Sequence, residues 1–141
     1  MNYELLGKTG LRVSEAFLGT MTFGQAWGWG TAPEECVHII DAYADAGGNV
    51  IDTAANYTEG QSEQIIGDAL AGRRDRFVLS TKFTFTTDPD DPNAGGSHRK
   101  NLRVSLERSL RRLRTDYIDL YWVHVWDERT PIEETLRGLD N

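Results

Sequence analysis

Cysteine is almost missing from this chain of 141 residues: Cys36 stands alone. One thiol cannot close an internal disulfide, so a reducing compartment is expected. There is no CxxC and no Cys/His cluster, and no metal site is expected. Long apolar runs are missing too. None approaches the ~20 residues of a membrane span. The opening Met1-Asn2-Tyr3-Glu4 lacks the basic start and apolar stretch of a signal peptide. Positive charge is in deficit, with 15 Lys and Arg against 22 Asp and Glu and a net charge of −7. That balance opposes nonspecific binding to nucleic acid or anionic membrane. The expectation is a cytoplasmic protein without a membrane or nucleic-acid partner.

What is present suffices for one folded domain. Hydrophobic residues make up 39% and charged residues 26%, as in globular rather than disordered chains. Residues 3–14 read as a hairpin, with Tyr3 to Leu6 and Leu11 to Ser14 around Gly7-Lys8-Thr9-Gly10. After Ala16-Phe17-Leu18-Gly19 comes a loop, Thr20 to Gly30, rich in glycine and aromatics. Four strand–helix alternations then organise the chain. Thr31 and Glu34 have capping-box spacing with Pro33 in the first turn, and Gly47-Gly48 stops that helix. Ile65, Ile66, Ala69 and Leu70 mark a second helix. Ser97 is the expected cap of a third, whose stripe is Leu102, Leu106, Leu110 and Leu113. A fourth is expected to open at Thr130-Pro131-Ile132-Glu133, with Thr130 as cap and Pro131 at the first helical position. Strict alternation implies parallel strands with right-handed helical crossovers.

Three strand-like runs close on ionisable residues: Val50-Ile51-Asp52, Val78-Leu79-Ser80-Thr81-Lys82 and Leu120-Tyr121-Trp122-Val123-His124. Tyr57 follows the first by five residues. In a parallel sheet these side chains gather at the carboxyl edge, where α/β enzymes place their chemistry. The types suit proton transfer to a carbonyl. When hydride reduces an aldehyde or ketone, negative charge develops on oxygen and an acid must supply a proton. Tyrosine can do so, although its ordinary pKa of ~10 is high for that task. A neighbouring lysine favours the phenolate, a carboxylate orients the lysine, and a histidine can orient the substrate oxygen. Taken singly, each residue has a structural explanation: a strand-end cap for Asp52, a solvated strand end for Lys82, a satisfied polar core group for His124, packing for Tyr57. Together, on three successive strand ends, they point to a site.

The run Arg99 to Arg114 holds seven basic residues against Glu107 alone. Its expected place is the solvated outer face of the third helix, with the leucines turned inward.

The sequence resembles the aldo-keto reductases. The resemblance rests on Leu6-Gly7-Lys8-Thr9-Gly10-Leu11-Arg12-Val13-Ser14, on Phe17-Leu18-Gly19-Thr20-Met21-Thr22-Phe23-Gly24, and on Val50 to Tyr57 followed by Gly60-Gln61-Ser62-Glu63 and Ile66-Gly67. It continues through Val78 to Lys82 and Asp116 to His124. It implies a (β/α)₈ TIM barrel that binds NADP(H) and reduces aldehydes or ketones to alcohols. It implies Tyr57 as proton donor, supported by Lys82 and Asp52, with His124 beside a small-molecule carbonyl or alcohol substrate. Gly19, Thr20, Met21 and Asp52 would lie near the nicotinamide, and Trp27, Trp29 and Trp126 are candidates for the substrate pocket. A barrel of that kind takes ~250 residues. The chain is therefore expected to form its N-terminal half: a hairpin and about four β/α units, a partial domain over residues 1–141 that stops in the fourth helix and lacks most of the cofactor site. An open half barrel leaves sheet edges unpaired, so self-association without catalysis is the alternative expectation.

Overall fold

The structure is a computed structural model that describes all 141 residues. Strands β1 (Tyr3–Leu5) and β2 (Arg12–Ser14) form the expected antiparallel hairpin, with Tyr3 opposite Ser14. Then come β3 (Leu18–Gly19), α1 (Pro33–Asp45), β4 (Val50–Asp52), α2 (Gln61–Ala69), β5 (Val78–Phe83), α3 (Arg99–Leu113), β6 (Leu120–Val123) and α4 (Ile132–Asp140). The four strands β3 to β6 pair in chain order, all parallel. These are four β/α units, half the number of a (β/α)₈ barrel.

Alternation along the strands separates two environments. Ile51 and Leu79 face the helices and pack with Ile40 of α1, Ile66 of α2 and Leu113 of α3. Each such buried aliphatic side chain contributes roughly 1.5–3 kcal/mol. Val50 and Val78 face the other way and meet Val13 of the hairpin. Leu6, Leu11 and Leu120 extend that cluster. The hairpin thus covers the amino end of the sheet, and the carboxyl end stays open for polar groups.

Two glycines are required by geometry. Gly47 ends α1 at φ +90, where its N–H and that of Gly48 close on Ala44 and Tyr43 carbonyls. Gly67 lets α2 meet α3: a Cβ there would lie 2.4 Å from the Arg112 carbonyl oxygen.

The helix starts differ from expectation. Ala32, not Thr31, precedes α1 and offers no side-chain cap. Thr31 is held instead by a parallel bridge to Phe23. His98, not Ser97, caps α3 by accepting from the Asn101 N–H through Nδ1. Ser97 is buried, its N–H donating to Asp127 and its carbonyl accepting from Thr135. At α4, Pro131 occupies the cap position and the Thr130 hydroxyl donates to Asp127 Oδ2 at 2.6 Å. Ser97 is drawn off by distant partners, Thr130 by the nearby Asp127, and Thr31 by a backbone bridge.

Candidate active site

Asp52 ends β4, opposite Ser80 on β5. Lys82 lies two residues beyond Ser80, on the same face. Its Nζ reaches Asp52 Oδ2 at 2.6 Å and the Thr53 carbonyl at 2.8 Å. The pair is shielded but not sealed, with side chains 15% and 27% exposed. Lys82 Nζ also stands 5.1 Å from the centroid of the Tyr57 ring, within cation–π range.

Tyr57 opens a single irregular turn, Tyr57–Gly60, in which Thr58, Glu59 and Gly60 all have positive φ (46, 58 and 90). A β-branched residue rarely adopts such a conformation, and each such residue costs on the order of 1–3 kcal/mol. The surroundings hold it there. The Thr58 side chain is fully buried, donating to the Phe23 carbonyl and accepting from the Ser62 N–H. The Ala55 N–H bonds the Lys82 carbonyl, and Arg112 Nη1 donates to the Ala55 carbonyl at 3.1 Å. This loop is thereby tied to the lysine strand and to α3.

The five tyrosines are not equivalent. Tyr3, Tyr43, Tyr117 and Tyr121 spend their hydroxyls on Gly47, Ala16, Asp75 and Leu102. Burial, and behind it the Glu63 charge, push the Tyr121 phenol well above its ordinary range. Tyr57 bonds no protein group through its hydroxyl and is half-buried at the carboxyl edge.

His124 follows β6, its N–H donating to the Phe83 carbonyl and to Thr84 Oγ1. Its ring lies edge-on between Tyr57 (centroids 5.7 Å apart) and Phe85 (4.7 Å). Burial lowers the imidazole pKa first, and the Lys82 charge lowers it further against an opposing effect of Asp52. The shift favours the neutral ring, and its Nδ1 is buried without a partner.

Asp52, Tyr57, Lys82 and His124 thus come together. The other expected residues fall into three groups. Gly19 pairs with Asp52, and a Cβ there would meet nothing within 4 Å. Thr20 is fully buried, its hydroxyl donating to the Asp52 carbonyl at 2.9 Å, so it supports the edge from below. Met21 is half-exposed beside them. The strip at Gly19 is open and free of side chains. Trp27 meets Trp29 with ring centroids 5.6 Å apart and planes tilted by 45°, and it lines a groove of about 600 Å³ with Asn56, Glu59 and Arg112. Trp126 is largely exposed and shares a cavity of about 330 Å³ with His124. No group of three or more His, Cys, Asp or Glu could hold a metal ion.

Several contributors escaped sequence reasoning. Ser80 donates to Asp52 Oδ1 at 2.7 Å. Its position two before Lys82 on the same strand face was the available signal. Phe85 had none. Arg112 is not part of a solvated helix face: it turns inward to Glu63, which is fully buried and also accepts from Thr81 Oγ1 at 2.7 Å.

Comparison with known proteins places this geometry. A sequence model described as the aldo/keto reductase family matches residues 16–141. Norsolorinic acid reductase of Aspergillus flavus is 42% identical over 97% of this chain and 38% of its own length. The putative aryl-alcohol dehydrogenase AAD6 of Saccharomyces cerevisiae is 42% identical over 92% of this chain and 66% of its own length. The NADP(+) aryl-alcohol dehydrogenase of Phanerodontia chrysosporium is 40% identical over 98% and 40%. Among solved structures, the holo form of aldo-keto reductase AKR11C1 from Bacillus halodurans superposes with a TM-score of 0.86 at 34% identity, over 99% of this chain and 45% of that one. The chain spans well under half the length of most of these proteins, and its fold is half of a TIM barrel. With the family match covering nearly all of the sequence, and the strand ends carrying their ionisable residues in the same fold, the chain belongs to the aldo/keto reductase family.

Proposed function

We propose that this chain carries the proton-transfer part of an NADP(H)-dependent carbonyl reductase site, acting on aromatic aldehydes or ketones in the full-length protein. One observation carries the reading: Tyr57 alone among the tyrosines has an uncommitted hydroxyl, and it sits beside Lys82 and His124. The cofactor, when bound against Gly19, Met21 and Asp52, supplies the hydride. Tyr57 Oη gives its proton to the carbonyl oxygen as negative charge grows there. The Lys82 ammonium stabilises the charge left on Tyr57, and Asp52 fixes that ammonium in place. Neutral His124 orients the substrate oxygen without competing as a cation. Trp27, Trp29, Trp126 and Phe85 offer aromatic surface for the substrate ring. NADP and an aryl substrate are supported by the names of the relatives, two of them aryl-alcohol dehydrogenases and one marked NADP(+).

The test is NADPH consumption with an aromatic aldehyde by the full-length protein and its Tyr57→Phe variant. Loss of turnover in the variant with NADPH binding retained is expected. Substantial turnover by Tyr57→Phe would remove the role assigned to that residue.

A second reading has its own observation. On the last strand and helix, Trp122, Leu136 and Leu139 are exposed. A second copy could cover them in a non-catalytic assembly. Sedimentation of the 141-residue chain decides: a monomer rules this reading out.

A further inference from the structure

We propose that Ser80 and Trp122 act as a positioning pair that sets the orientation of Asp52, and through it of Lys82, in the proton-transfer site. This rests on the carbonyl-reductase reading above.

A continuous line of donors runs across three strands. Trp122 Nε1–H donates to Ser80 Oγ at 2.9 Å, and Ser80 Oγ–H donates to Asp52 Oδ1 at 2.7 Å. Asp52 Oδ2 accepts from Lys82 Nζ at 2.6 Å. The direction of this line is forced by chemistry. Indole N–H is a donor only, so Ser80 must receive it as acceptor. A serine hydroxyl has one proton, and an ionised carboxylate can only accept. The Ser80 proton therefore goes to Asp52, with Trp122 removing the alternative in which the hydroxyl turns away.

Asp52 needs this help. The terminal torsion of an aspartate is broad, with no sharp intrinsic well. One bond, to Lys82, leaves the carboxylate free to pivot and the flexible lysine free to follow. A second bond on the other oxygen fixes the plane. Register makes the arrangement available: Ser80 is the partner of Asp52 across β4 and β5, and Trp122 is the partner of Lys82 across β5 and β6. The indole reaches back from that position to Ser80. Ser80 is buried, and both residues act on the site through Asp52.

The experiment measures steady-state NADPH-dependent reduction of an aromatic aldehyde by the full-length protein and three variants. Ser80→Ala is expected to lower kcat about tenfold, the size of a lost hydrogen bond to a charged group, with KM for the aldehyde nearly unchanged. Ser80→Thr keeps the hydroxyl and restores kcat. Trp122→Phe, which frees the hydroxyl without deleting it, lowers kcat less than Ser80→Ala, and it carries the test if Ser80→Ala does not fold. An unchanged kcat in Ser80→Ala, or a loss that Ser80→Thr fails to rescue, overturns the proposal. The second readout needs no activity: hydrogen exchange of the Trp122 indole N–H by NMR, assigned through Trp122→Phe. Slow exchange in the parent and in Ser80→Thr, with fast exchange in Ser80→Ala, upholds the pair even if the parent protein reduces nothing. In that case the reductase reading alone fails. Equal exchange in all three disproves the pair.

Discussion

Two carboxylate–cation pairs flank the same strand, one on each side, and only one of them has its carboxylate at the open carboxyl edge. Thr81 and Lys82 are consecutive in β5 and point to opposite faces. On the inner face Lys82 meets Asp52, and both side chains retain some exposure at the carboxyl edge. On the helix side Thr81 meets Glu63, whose side chain is 0% exposed and paired with Arg112 at 3.3 Å. The residue types are alike; the access of the carboxylates differs, 27% exposed for Asp52 against 0% for Glu63. A pair at the open edge can exchange charge with a substrate. A carboxylate as deeply buried as Glu63 can only hold parts together, here the loop bearing Tyr57, strand β5 and helix α3, although its partner Arg112 remains 25% exposed.

The sharpest way to break this contrast is to remove one charged partner from each pair. Lys82→Met should cut carbonyl reduction by about 100-fold or more in the full-length protein. Its circular dichroism should remain that of the parent. Full activity in Lys82→Met would place the two pairs in the same structural class. Glu63→Ala should do the opposite kind of damage. It strands Arg112 near the buried face and leaves Thr81 without its acceptor, at a cost of roughly 3 kcal/mol. Urea unfolding reads that loss, and an unchanged midpoint would show that the Glu63–Arg112 pair contributes nothing net.

A smaller effect is expected where α2 and α3 touch. Gly67→Ala pushes a methyl group into the backbone of Arg112 and Leu113, a strain of about 1–3 kcal/mol. Because Arg112 holds the Tyr57 loop, kcat should fall with stability. A drop in melting temperature without a change in kcat would separate the helix contact from the site.

The mildest expectation concerns pH. The folded pKa of His124 is lowered, chiefly by burial. The unfolded chain then takes up the proton first. The associated stability is fully present above the ordinary histidine value of about 6.5 and is lost as pH falls below it toward the lowered folded value. His124→Gln should flatten the fall in denaturation midpoint between pH 7.5 and 5.5. An identical slope in parent and variant would assign it to another group.

Legibility varied with the range of the cause. The four β/α units were readable because apolar periodicity records which face of an element is covered. Asp52, Lys82 and His124 were readable because parallel strands put their ends on one edge. Caps were misassigned at Thr31, Ser97 and Thr130: Ser97 is engaged by Asp127 and Thr135 from 30 and 38 residues away, Thr31 lies in a backbone bridge to Phe23, and the Thr130 hydroxyl turns to Asp127 three residues before it. Arg112 was taken for surface because its run is basic. Its partner Glu63 is 49 residues away and leaves no local trace.

The amino-acid order alone determined the alternation of elements, the apolar stripes and the residues that close each strand, because those follow from backbone periods of 2 and 3.6. Tertiary structure alone decided which tyrosine keeps a free hydroxyl, which ion pair opens to the edge, and how Thr58 is held at positive φ. Hydrogen-bond partners are chosen by proximity in space, and a burial pattern read along the chain does not contain that choice.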